Sequence, residues 1–84
     1  MNKELSKIIS EKVTKLGFKE YLGEDFVLRV PLDVLSSNSK LYDKFMKFVL
    51  SREIVTVEGE SYNWFMYSEG NNYVVKLLDR NMFY

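Results

Sequence analysis

The chain has 84 residues, a formal net charge of zero, 46% hydrophobic and 15% aromatic residues, and neither Cys nor His. That length gives a single domain over 1–84, with apolar and aromatic side chains enough for one core. Without Cys or His there is no disulfide framework, no usual zinc ligand set, no thiolate nucleophile and no imidazole base, so whole enzyme classes fall away.

The N-terminal Met-Asn-Lys-Glu-Leu-Ser-Lys lacks the apolar core of a secretory leader, and no apolar run approaches the roughly 18 residues of a membrane span. The expectation is a cytoplasmic protein with no membrane partner. Within Asn2 to Leu16, Leu5, Ile9, Val13 and Leu16 recur at helical spacing, Ile8 widens the stripe, and Gly17 supplies a C-cap. Phe26, Leu28 and Val30 alternate with Val27 and Arg29, which predicts a strand from Asp25 to Val30 ended by Pro31. The polar stretch Ser36-Ser37-Asn38-Ser39 offers N-caps to a second helix. Leu41, Phe45, Phe48 and Val49, with Tyr42 and Met46 beside them, give that helix a wide apolar face through Ser51.

From Ile54 the period becomes two. Strands are predicted over Ile54 to Val57, Tyr62 to Ser68 and Tyr73 to Leu78, separated by Glu58-Gly59-Glu60-Ser61 and Glu69-Gly70-Asn71-Asn72, which carry the Gly and Asn of tight turns. The order α-β-α-β-β-β predicts an α+β two-layer sandwich, two helices on one face of a four-stranded sheet, with an antiparallel C-terminal meander.

The stretch Tyr62-Asn-Trp-Phe-Met-Tyr-Ser68 is the most informative one, because both of its alternating faces are apolar or aromatic. Tyr62, Trp64 and Met66 share the parity that faces the apolar helix stripes, so Trp64 is expected to be buried between the sheet and the two helices, and Leu5, Ile9 and Val13 are expected to pack against Phe45, Phe48 and Val49. Phe65 and Tyr67 then lie on the opposite, open face. Arg29 and Lys76 fall on that face by the same alternation, as do Val27, Val74 and Leu78. Arg29, Phe65, Tyr67 and Lys76 form the candidate binding face. A protein partner, either a host protein or a second copy, is expected there; unpaired bases stacked on the aromatics are the nucleic-acid alternative, and coverage by the tail Met82-Phe83-Tyr84 is the purely structural one.

Charge is uneven although its sum is zero. Both helices carry an excess of Lys, whereas the strands and turns are acidic, so Lys3, Lys7, Lys15, Lys44 and Lys47 form a candidate basic surface for phosphates or an acidic protein face. Pairs such as Lys7 with Glu11 explain part of it as an ordinary solvated helix surface.

Catalytic chemistry finds little footing. Glu58 and Glu60, and Glu24 and Asp25, are carboxylate pairs in turns, without ligand spacing for a metal. The Ser36-Ser37-Asn38-Ser39-Lys40 run reads as a helix cap rather than a Ser nucleophile with a Lys base. No catalytic, cofactor-binding or metal residue is assigned. The absence of Ala and Gln beside abundant Lys, Asn, Ile, Phe and Tyr is the bias of an AT-rich coding sequence. The expected function is a non-catalytic interaction module of the phage accessory type that binds and modulates a host macromolecule, with RNA or single-stranded DNA binding as the alternative.

Overall fold

A computed structural model describes residues 3–80. Helix α1 runs over Lys3–Leu16 and ends at Gly17, whose φ of 89° is the left-handed geometry a helix terminus favours in glycine. Phe18 N–H then donates to the Val13 carbonyl at 3.0 Å, which drives Phe18 back into the interior, where it is fully buried. A single 3₁₀ turn, Lys19–Tyr21, leads to strand β1, Leu28–Pro31. The sequence predicts a strand from Asp25; the chain is still turning there. Gly23 N–H donates to the Val27 carbonyl and Phe26 N–H to the Gly23 carbonyl, and Phe26 sits at a φ of 59°, so extended pairing starts only at Leu28.

Pro31 closes β1 and leads directly into a short helix, α2, Leu32–Ser36, which periodicity alone does not distinguish from loop. Its first residue is held by the turn between two later strands, Leu32 N–H donating to the Asn71 carbonyl at 2.8 Å. Asn38 is the member of the polar stretch that caps α3, Ser39–Leu50: its side-chain oxygen accepts from Leu41 N–H at 3.2 Å. The meander follows as β2 Ile54–Val57, β3 Glu60–Glu69 and β4 Asn72–Asp79. Glu58 and Gly59 both have positive φ, which defines the turn type that matches strand twist in a two-residue hairpin; Gly70 supplies the positive φ of the second hairpin.

The sheet is antiparallel throughout, in the order β1-β4-β3-β2. The helices lie on one face, giving the expected α+β sandwich with α2 added. Two apolar clusters fill the space between layers. The larger joins Ile9, Val13, Phe18, Leu28, Val30, Leu35, Phe45, Phe48 and Val75. The smaller joins Leu5 with Val55 and Val57. Leu5 therefore packs on β2 rather than on α3, correcting the expected grouping with Phe45 and Phe48: α1 crosses the sheet obliquely, and its first turn overhangs the β2 end. Among the described residues no helix is long and apolar enough to cross a membrane.

Candidate aromatic face and open strand edge

Register fixes the two faces of the sheet. Trp64 opposes Leu77 and Met66 opposes Val75, all on the helix side, whereas Phe65 opposes Lys76 and Tyr67 opposes Val74 on the other. Arg29, opposite Val74, joins that open face from β1, and Leu78, Asn63 and Ile54 extend it. All four residues of the candidate binding face are thus brought onto one surface.

Its centre is Val74. Only 1% of Val74 is exposed, although it belongs to neither of the helix-side clusters and is flanked directly by Arg29 and Tyr67. Around it, the Phe65 and Tyr67 rings lie 5.8 Å apart at 37°, and the Lys76 ammonium sits 5.5 Å from the Tyr67 centroid, close enough for a cation–π contact. Phe65 is 37% exposed. The tail alternative, Met82-Phe83-Tyr84, lies outside the described residues.

Arg29 is committed locally. Its guanidinium grips both oxygens of Asp25, at 3.0 and 3.3 Å, and Val27 N–H adds a third bond to the same carboxylate. The Arg29 hydrogen bonds, followed by the Val27 amide, hold the Asp25 carboxyl below its ordinary value, and Asp25 in turn raises Arg29. Gly23 makes this loop possible, since a Cβ there would lie 2.6 Å from Asp25 Oδ1.

Lys3, Lys7 and Lys15 on α1, and Lys44 and Lys47 on α3, are exposed. They belong to the helix layer, on the side of the molecule opposite the aromatic face. Lys15 also lines a shallow recess of ≈ 280 Å³ together with Ile8, Glu11, Lys12 and Glu53. Lys12, which is not one of the candidate basic residues, plays a structural part. It pairs with Glu53 at 3.0 Å and lies 5.4 Å from the Phe48 ring, tying α1 to the segment between α3 and β2.

Trp64 is half-buried rather than enclosed. Its ring meets Phe48 edge-on at 5.0 Å and touches both core clusters, but β2 reaches only as far as Asn63 on that side. The ring therefore borders a recess of ≈ 430 Å³ lined by Val49, Arg52, Asn63, Trp64 and Phe65. The indole N–H is buried without a hydrogen-bond partner among the described residues. Arg52 was not singled out by the sequence. It stands just past the end of α3 at a φ of 54°, where glycine is the usual residue and a side chain carries backbone strain of roughly 1 kcal/mol.

Among the described residues no group of three or more acidic side chains is placed to hold a metal ion. Neither protein-family models, curated protein sequences nor solved structures match this chain.

Proposed function

We propose that this protein is a non-catalytic interaction module that binds a protein partner through the open face of its sheet. The observation that carries the reading is the cluster of Phe65, Tyr67 and Lys76 around Val74, on the face the helices leave bare. Aromatic anchors around an apolar centre, rimmed by a neutralised Arg29–Asp25 pair, have the composition of a protein interface, where aromatics dominate and lone charges are few. The residue bias supports a phage-type accessory role, with a host macromolecule as the target.

A single-stranded RNA or DNA ligand is the second reading, favoured by the Lys76–Tyr67 pair, a stacking platform with a cation beside it. Two features count against it: Arg29 is already held by Asp25, and the Lys-rich helices face away.

Capture from host lysate with and without nuclease tests the proposal, using the wild type, the Phe65→Ser/Tyr67→Ser double variant and a Lys44→Ala/Lys47→Ala control. A nuclease-resistant partner lost only by the aromatic double variant is expected. Binding of mixed oligonucleotides that falls steeply with salt and is abolished by Lys76→Ala would instead establish the nucleic-acid reading.

A further inference from the structure

Strand β3 is unevenly partnered. Its residues Glu60 to Asn63 pair with β2 on one side, but from Trp64 to Glu69 no described strand lies there. The two-residue turn at Glu58 and Gly59 makes Val57 and Glu60 a hydrogen-bonded pair, so backbone groups alternate from that point. The N–H and C=O groups of Trp64, Met66 and Ser68 therefore point out of the sheet, while those of Phe65, Tyr67 and Glu69 serve β4. The two outer strands of this sheet are blunted, and β4 beyond Val75, unflanked by β1, carries Lys76 and Asp79. β1 is four residues long and ends in Pro31, and β2 is equally short. The β3 stretch has no Pro and no Lys, and its pairing with β4 runs without a bulge from Tyr62 to Glu69.

We propose that this edge is where a second copy of the chain adds its own β3, antiparallel, to make one continuous eight-stranded sheet. Ile54 already occupies the place beside Asn63, so the longest two-fold pairing that leaves β2 intact is centred on Tyr67. It sets Tyr67 against Tyr67, Met66 against Ser68, and Phe65 against Glu69 of the second copy. Charge complementarity selects this occupant. Glu69 of each copy arrives at the Phe65 position of the other, beside Arg52, whose side chain lines the recess there. Symmetry repeats that ion pair at both ends of an otherwise uncharged contact.

The helix above the edge is self-complementary too. Val49 lines the same recess, and Met46 and Tyr42 stand one and two turns earlier on the same side of α3, with Tyr42 43% exposed. A two-fold axis perpendicular to the sheet brings the two α3 helices side by side along this stripe. The assembly is independent of the proposed open-face function, and it doubles that face without covering it.

Sedimentation over about a hundredfold concentration range is the primary test. The wild type is expected to show a monomer–dimer equilibrium. Arg52→Gly, which relieves the positive-φ strain and so leaves the monomer melting temperature unchanged or higher, and Glu69→Arg are each expected to raise the dimer Kd by about tenfold or more. Arg52→Glu combined with Glu69→Arg restores association. Amide exchange at Met66 and Ser68 slows as concentration rises. A chain that stays monomeric throughout overturns the proposal, as does Met66 and Ser68 protection that is independent of concentration, which would mean the chain covers its own edge. A dimer that tolerates the charge variants but dissociates on Lys76→Glu overturns it in favour of association through the open face.

Discussion

The two ends of β3 are built differently. From Glu60 to Asn63 the strand pairs with β2, Tyr62 and Asn63 pair with β4 as well, and the helix-side residue Tyr62 packs in the cluster of Leu5, Val55 and Val57 under the first turns of α1. From Trp64 to Glu69 its one neighbouring strand among the described residues is β4, with α3 overhead and aromatic side chains on the other face. One strand thus ends in a closed corner and an open one. Identical local conformation does not imply identical duty; what separates the halves is where β2 stops.

Both corners rest on the helix layer, and damage to that layer has the largest expected effect. Ile9 is 1% exposed, so Ile9→Asp buries an unpaired charge and is expected to unfold the domain, at a cost above about 4 kcal/mol, whereas Lys7→Asp on the outer face of α1 stays within about 0.5 kcal/mol. Equal and mild thermal shifts for the pair would contradict the docking of α1 described above. Next comes Trp64, the residue at the junction. Because it touches both clusters yet is only half-buried, Trp64→Ala is expected to cost about 3 kcal/mol, at the low end for aromatic truncation, by denaturant titration.

A smaller change distinguishes the corners. Asn38→Ala removes the α3 cap and is expected to cost about 1 kcal/mol. Native-state hydrogen exchange should then accelerate across α3 and the open half of β3 while leaving Val55 and Val57 comparatively protected; uniform acceleration would mean that the corners unfold as one unit. Phe65→Ser/Tyr67→Ser is expected to cost much less than Trp64→Ala, since these side chains leave no cavity in the helix-side core. A double variant as unstable as Trp64→Ala would show that the bare face acts as core.

The period-two pattern after Ile54 and the apolar stripes of the two long helices were enough to reach the α+β sandwich, because each burial surface there repeats over several turns or residue pairs. The alternation in β3 likewise placed Phe65 and Tyr67 opposite Trp64. What was not legible depends on single residues acting at a distance. Phe18 is a core residue because Gly17 reverses the chain, a consequence of the cap and not of any periodic stripe. α2 spans five residues and depends on Asn71, far along the chain, for its first hydrogen bond. The delayed start of β1 follows from the carboxylate of Asp25 competing for Val27 N–H and Arg29. Arg52 gave no signal at all, for its interest lies in a backbone angle and in where β2 ends.

The meander and β1 also differ in what the chain must do to assemble them. Strands β2, β3 and β4 meet across two-residue turns, so their closure costs little loop entropy, whereas pairing Leu28 with Val75 closes a loop of more than half the chain. Refolding is therefore expected to form the two hairpins early and to dock β1 last. Pulse-labelled amide exchange during refolding should protect Tyr62 and Lys76 before Leu28 and Val30, and simultaneous protection would argue against this order. Until β1 docks, β4 has a free edge of its own, so the interval before that event is when this small protein is most exposed to unwanted strand pairing.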